Sequence, residues 1–78
     1  MSEIKEVKSA ARATEIAASF LKQYYAFLRP VSAVRENTTW IVKIDVGVIT
    51  KEIAEVKVDA STADVIGYSF PSFPSIPV

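Results

Sequence analysis

The sequence predicts an α+β domain of two layers, in which one N-terminal helix packs on a four-stranded antiparallel meander sheet. Two observations lead to this prediction. Residues 3–28 repeat their apolar positions at steps of three and four, which is typical of an amphipathic helix. Residues 39–70 contain three runs of alternating apolar and polar residues, separated by short polar segments. Strands joined by such short segments pair as antiparallel neighbours.

The predicted helix covers residue 3 to about residue 28. Ser2 is a suitable N-cap, and Glu3 and Glu6 lie in the first turn, where the helix dipole favours negative charge. Pro30 ends the helix because the residue before a proline disfavours helical geometry. The stripe expected to face the sheet consists of Ala13, Ile16, Ala17, Phe20, Tyr24, Phe27 and Leu28.

A short edge strand is predicted at residues 31–35, followed by a turn at 36–38 in which Asn37 can adopt positive φ. The central strand follows, from about residue 39 to residue 49. Its even-numbered residues from Trp40 to Val48 are apolar, so we expect this face of the strand to pack against the helix. The indole N–H of Trp40 then needs a hydrogen-bond acceptor or solvent.

The third strand is predicted at residues 53–59, with its even-numbered residues facing the helix. A connecting loop of residues 50–52 places opposite charges directly across the two strands, which contributes roughly 0.2–1 kcal/mol for each pair. The opposed pairs are Lys43 with Asp59, and Asp45 with Lys57. This expectation fixes the predicted register.

The last strand is predicted at residues 65–70, after a turn at 59–64 in which Asp59 and Ser61 accept backbone N–H groups. The register is expected to centre on residue 62. In this register the large residues Ile66, Tyr68 and Phe70 face the helix.

Residues 1–70 therefore form one predicted domain, and residues 71–78 form a proline-rich tail. Its prolines recur at every third position, which favours polyproline II geometry. Phe73 and Ile76 are apolar, so the tail is expected either to bind another protein or to pack on its own domain or on a dimer mate. Ordered packing is favoured, because these two side chains would otherwise be exposed.

The composition argues against several classes of function. Nine basic and nine acidic residues give zero net charge, which does not favour nucleic acid or an anionic membrane as a partner. Cysteine and histidine are absent, which removes thiolate and imidazole metal sites and the commonest general base. We expect no cofactor and no enzyme activity. The charged N-terminus lacks an apolar leader, and no apolar run is long enough to span a bilayer, which favours a cytoplasmic protein.

Three carboxylates, those of Asp45, Glu55 and Asp59, share the outer face of the predicted sheet, the face that points away from the helix. They form either a metal or acid–base site or a solvated face together with Lys43 and Lys57. The second interpretation is favoured because the lysines offset the negative charge and such surface pairs are common.

The aromatic side chains either fill the core between helix and sheet or line a pocket for a small apolar ligand, whose walls would be Trp40, Tyr24 and Tyr68. Core filling is favoured because the helix carries few large aliphatic residues. Apolar residues on the outer face and in the tail are instead candidates for contact with a partner protein. These candidates are Ile41, Ile53, Val65, Phe73 and Ile76.

A helix followed by TTWIVKIDV and then by EIAEVKVDASTADVIGYSF resembles the PepSY-like group of small α+β domains. The same order is similar to the gas vesicle accessory protein O family, and the resemblance covers about residues 10–70. The matching residues are Trp40, Val42, Ile44, Val58, Asp59, Val65, Gly67 and Tyr68. Both families have a turn glycine near the place where Ala63 or Asp64 stands here. The resemblance implies this fold and a non-enzymatic binding or regulatory role, and it implies no site residue.

We therefore predict a non-catalytic protein-interaction or regulatory module, which forms a homodimer or binds another protein. The alternative prediction is a carrier of a small apolar ligand, with its pocket between the helix and the sheet. Neither nucleic acid nor a membrane is an expected partner.

Overall fold

The computed structural model describes residues 6–71, and this part of the chain contains one helix and four strands. The elements are α1 (Ala10–Leu21), β1 (Arg29–Glu36), β2 (Thr39–Asp45), β3 (Ile53–Asp59) and β4 (Val65–Ser69). Neighbouring strands are antiparallel, the sheet order is β1-β2-β3-β4, and α1 packs across one face of the sheet. The predicted α+β fold with two layers is confirmed. No helix within these residues has the length and apolar character needed to cross a membrane.

The start of the helix differs from the prediction, since α1 begins at Ala10 rather than near residue 3. Ser9 is the N-cap, and its side-chain oxygen accepts the N–H of Arg12 at 3.1 Å. The predicted cap, Ser2, lies outside the described residues. Two serines were thus available as caps, and the choice between them depends on what the segment before Ser9 contacts.

That segment is held by the sheet through Val7. The Val7 carbonyl accepts the indole N–H of Trp40 at 2.9 Å, and the Val7 N–H donates to the carbonyl of Ala60 at 2.6 Å. The Val7 side chain is buried. These contacts hold Val7 against the sheet, and α1 begins after this segment, at Ala10.

The end of the helix also differs, because α1 stops at Leu21 instead of continuing to about residue 28. The N–H groups of Tyr24 and Tyr25 both donate to the Leu21 carbonyl at 2.9 Å, which closes the last turn. The chain then crosses to β1. Tyr24 and Phe27, which were predicted in the apolar stripe, are exposed as a result.

The core lies between α1 and the inner face of the sheet. The helix contributes Ala13, Ala17 and Leu21, which recur at steps of four. The strands contribute Trp40, Val42, Ile44, Ala54, Val56 and Val58, all of which are buried. The prediction that even-numbered residues of β2 and β3 face the helix is confirmed. Val46 is buried beyond the end of β2, but Val48 is exposed, so the central strand is shorter than predicted.

The register between β2 and β3 was predicted wrongly. Lys43 lies opposite Glu55 rather than Asp59, and Asp45 lies opposite Ile53 rather than Lys57. The connection runs from residue 46 to residue 52 instead of 50 to 52. Its start is fixed by the Asp45 carboxylate, which accepts backbone N–H groups of the connection itself. These contacts outweigh the weak preference for opposed surface charges.

The register between β3 and β4 agrees with the prediction over most of its length, with Val56 opposite Tyr68 and Lys57 opposite Gly67. An irregularity between Lys57 and Val58 then places Val65 opposite Val58. Val65 consequently packs against the core instead of lying on the outer face as predicted. Ile66, predicted to face the helix, is exposed.

Both predicted turns are found where they were expected. Asn37 has a φ of 57° in the turn between β1 and β2. After β3 the Asp59 carboxylate accepts the N–H groups of Ser61 and Thr62 at 2.7 and 3.1 Å. In the same turn the N–H of Asp64 donates to the Thr62 hydroxyl at 3.3 Å, whereas Ser61 was the predicted acceptor.

Candidate functional site

The outer face of the sheet is the face opposite α1, and no other element among residues 6–71 covers it. One row of directly opposed residues crosses all four strands: Val34, Ile41, Lys57 and Gly67. Directly opposed residues share a face, so these side chains lie side by side on the outer surface. Val34 is 54% exposed and Ile41 is partly buried.

Gly67 shapes this row because it has no side chain. The Cδ atom of Lys57 lies 3.6 Å from the position that a Cβ atom on Gly67 would occupy. The aliphatic stem of Lys57 therefore lies over the Gly67 backbone and adds apolar surface to the row. At its end the row meets Ile66, which is 55% exposed and lines the same groove as Ile41 and Lys57.

We call Val34, Ile41, Ile66 and the stem of Lys57 the outer patch. The groove beside it is bordered by the turn between β1 and β2, and its lining residues are Glu36, Asn37, Thr38, Thr39, Ile41, Lys57 and Ile66. On the other side the patch is bordered by Lys43, which lies opposite Glu55. An apolar row framed by charges of both signs is thus the main feature of this face.

The predicted contact residues fall at different places. Ile41 lies in the outer patch. Ile53 is partly buried opposite Asp45, and the Lys43–Glu55 row separates it from the patch. Val65 packs towards the core, as described above.

Phe73 and Ile76 lie outside the described residues. Three members of the patch, Val34, Ile66 and the stem of Lys57, were not among the predicted contact residues. The alternation in the edge strand could have identified Val34. Ser32 and Val34 occupy one side of β1 and Ala33 the other, and the polar Ser32 indicates that its side is the outer one. The signal for Ile66 is the neighbouring Gly67, since a glycine inside a strand often marks a bulge, and the irregularity in β4 turns Ile66 outwards.

A second exposed surface is made of aromatic rings between α1 and β4. Phe20, Tyr24, Phe70 and Tyr68 form a closed circuit of ring contacts, with centroid separations between 5.0 and 5.6 Å. Tyr25 meets Phe70 edge to face at 5.6 Å. We call these five residues the aromatic cluster. Tyr24 and Tyr68 are 55% and 58% exposed, so the cluster is a surface feature as well as a support for the helix.

Two of the three carboxylates considered as possible ligands, Asp45 and Asp59, accept backbone N–H groups instead. Asp45 is 4% exposed, and one of its oxygens accepts the N–H groups of Gly47 and Glu52 at 2.9 and 3.0 Å. Its other oxygen lies 3.5 Å from the guanidinium of Arg29. Within residues 6–71 no group of three or more potential ligand side chains is gathered closely enough to hold a metal ion.

These partners act on the acidity of Asp45. The N–H groups of Glu52 and Gly47 hold the pKa of the Asp45 carboxyl below its usual range. Burial opposes this shift, and the positive charges of Arg29 and Lys51 add to it. The hydrogen bonds of the β2–β3 connection therefore favour the charged form of the Asp45 carboxyl.

The residues proposed as walls of a ligand pocket are not gathered around one cavity. Trp40 is buried in the core and bonded to Val7, whereas Tyr24 and Tyr68 belong to the exposed aromatic cluster. A depression of about 480 Å³ lies elsewhere, beside Arg29 and the connection at residues 47–51. The contacts of Trp40, Tyr24 and Tyr68 therefore favour core filling and surface exposure over a ligand site.

Comparisons with protein-family models, with curated proteins and with solved structures gave no match. The fold is thus assigned from the structure itself. The resemblance to PepSY-like domains and to the gas vesicle accessory protein O family stays a prediction.

Proposed function

We propose that this chain is a non-catalytic protein-interaction module, and that its outer patch binds a second copy of the same chain. The observation that carries this proposal is the exposure of Val34 and Ile66 beside Ile41, on the one sheet face that α1 leaves uncovered. Neighbouring apolar side chains on an exposed sheet face gain free energy when another protein covers them. A regulatory role through this contact, and a cytoplasmic location, are parts of the same proposal.

A second copy fits this face because the patch can pair with itself. In a two-fold dimer each patch meets the same patch of the other molecule, so the apolar rows can lie against one another. The flanking Lys43 and Glu55 carry opposite charges, and the whole chain has zero net charge, so copies do not repel one another over long distances. A partner protein with its own flat apolar face would use the same residues.

The test compares two substitutions of an exposed aliphatic residue by lysine. Val34→Lys places a charge in the outer patch, and we expect it to weaken self-association at least tenfold, which corresponds to about 1.4 kcal/mol. Ile49→Lys is the matched control, since Ile49 is exposed in the β2–β3 connection outside the patch. Analytical ultracentrifugation over a range of concentrations measures the dimer dissociation constant of each variant.

Circular dichroism checks that both variants are folded. A wild-type chain that stays monomeric at millimolar concentration would contradict the proposed dimer. Equal weakening by Val34→Lys and Ile49→Lys would show that the contact does not use the outer patch. Loss of a dimer by Val34→Lys alone supports the proposal.

A further inference from the structure

The aromatic cluster has the form of a small platform. Its circuit of rings runs from Phe20 to Tyr68 at 5.1 Å, to Phe70 at 5.0 Å, to Tyr24 at 5.2 Å and back to Phe20 at 5.6 Å. Tyr24 and Tyr68 stand at opposite corners of the circuit, and each exposes more than half of its surface. The platform therefore presents two tyrosine rings to whatever binds there.

A platform of this kind suits a particular class of ligand. Polyproline II segments are stiff, carry apolar rings, and leave their backbone carbonyls without internal hydrogen bonds. Aromatic faces pack against proline rings, and tyrosine hydroxyls can donate to the free carbonyls. None of the five cluster residues is charged, so an uncharged segment fits this surface best.

The chain itself contains such a segment next to the cluster. Phe70 is a member of the cluster, and the proline-rich residues 71–78 follow it directly and contain no charged side chain. With three residues per turn, prolines occupy one edge of a polyproline II helix. In that geometry Phe73 and Ile76 occupy a second edge, and Ser72 and Ser75 lie on the third.

The sequence also allows the chain to turn back on the cluster. In residues 70–73 a proline stands at the second position and a serine at the third, which is compatible with a type I turn. Beyond this turn, residues 73–77 would span about 15 Å at roughly 3.1 Å per residue. That length exceeds the two ring-to-ring steps from Phe70 through Tyr68 to Phe20, which are 5.0 and 5.1 Å.

We propose that residues 73–78 bind the aromatic cluster of their own molecule as a polyproline II segment, with Phe73 and Ile76 as the anchors. The direct tether to Phe70 gives an effective concentration in the millimolar range, which favours the same molecule over a second copy at micromolar concentration. This site lies between α1 and β4, on the side of the sheet away from the outer patch. The inference is therefore independent of the proposed dimer.

The experiment uses the full chain and measures the backbone order of the tail by ¹⁵N relaxation. In the wild type we expect the amides of Ser72, Phe73, Ser75 and Ile76 to have heteronuclear NOE values close to those of β4. The double variant Phe73→Ala/Ile76→Ala removes both anchors, so these values should fall to those of a flexible chain. Its melting temperature should drop by about 4 °C.

The matched control is Ser72→Ala/Ser75→Ala, which changes the solvent edge of the same segment and should alter neither quantity. Tyr68→Ala removes an exposed ring from the cluster and should release the tail without unfolding the core. Flexible tail amides in the wild type would overturn the proposal. NOE contacts between Phe73 and Tyr68 that occur only between differently labelled molecules would also overturn it, because the occupant would then be a second copy.

Discussion

The β2–β3 connection and the β3–β4 connection both begin at an aspartate whose carboxylate accepts two backbone N–H groups. Asp45 binds the N–H groups of Gly47 and Glu52, and Asp59 binds those of Ser61 and Thr62. The two carboxylates differ in their surroundings. Asp45 is buried and has Arg29 beside it, whereas Asp59 is only partly buried.

The two connections also differ in how tightly the backbone is packed. In the first, Gly47 comes so close to Thr50 that a Cβ atom would lie 1.7 Å from the Thr50 carbonyl oxygen. In the second, Ala63 has a φ of 67°, in the left-handed region that disfavours side chains with a Cβ atom. An aspartate that accepts two backbone N–H groups thus begins both connections. The first connection is crowded and begins at a buried aspartate, whereas the second is an open turn with a strained backbone at Ala63.

The largest expected effect comes from Gly47→Ala. The added methyl group meets the Thr50 backbone, which is not free to move away like the end of a flexible side chain. We expect a loss of about 1–3 kcal/mol in the free energy of unfolding, measured by urea denaturation. Gly67→Ala is the control, because its methyl group would lie in ordinary contact with Lys57 at 3.6 Å.

Gly67→Ala should change the free energy of unfolding by less than about 0.5 kcal/mol. If both glycine substitutions had the same small effect, the crowding of the β2–β3 connection would not be a constraint on the fold. The two connections would then differ only in the surroundings of Asp45 and Asp59.

The second effect is the dependence of stability on pH through Asp45. Because the fold lowers the pKa of this carboxyl, the charged form stabilises the folded state above the ordinary pKa of about 3.9. This contribution is lost as the pH falls through the lowered pKa of the folded state. Asp45→Asn keeps an oxygen for the two N–H groups but removes the charge.

We therefore expect wild type to be more stable than Asp45→Asn at about pH 5–7, which lies above the ordinary carboxyl pKa. The difference should shrink when the pH is lowered below about 4. Urea denaturation of both proteins along a pH series measures it. A difference that stays constant down to about pH 2, or that grows on acidification, would contradict the assigned role of the Asp45 charge.

Much of the fold could be predicted because alternation in the strands is a strong local signal. The bounds of β3 and the inward direction of Trp40, Val42 and Ile44 follow from it directly. The start of α1 could not be predicted, since it depends on a hydrogen bond between Val7 and Trp40, which lie far apart in the sequence. Local capping preference alone does not distinguish Ser9 from Ser2.

The register of β2 and β3 was missed although a signal for it was present. A glycine inside an alternating run often marks a bend or a close approach of two backbones, and Gly47 marks both the end of β2 and the approach to Thr50. The surface pairs used to choose the register contribute too little to compete with the contacts of Asp45. Opposed charges are therefore a weaker guide than a glycine in this position.

The prediction of the candidate site was also incomplete, because parts of the site depend on tertiary contacts. Ile41 was predicted from alternation, but the outward turn of Ile66 depends on an irregularity in β4, for which the neighbouring Gly67 is the sequence signal. The exposure of Tyr24 follows from the early end of α1 at Leu21. The two wrong predictions arise at the end of a helix and at an irregularity in a strand, where tertiary contacts override local preference.

The smallest expected effect is a gain in stability from Ala63→Gly. A left-handed backbone costs a residue with a Cβ atom roughly 1–2 kcal/mol, and glycine is free of this cost but loses more entropy on folding. We expect a net gain of about 0.5–1 kcal/mol in the free energy of unfolding, measured by urea denaturation. The control is Asn37→Gly, since Asn37 has a φ of 57° but belongs to a residue type that tolerates this region. Asn37→Gly should therefore gain less than Ala63→Gly, and an equal or greater gain at Asn37 would show that the strain in the β3–β4 turn is not specific to alanine.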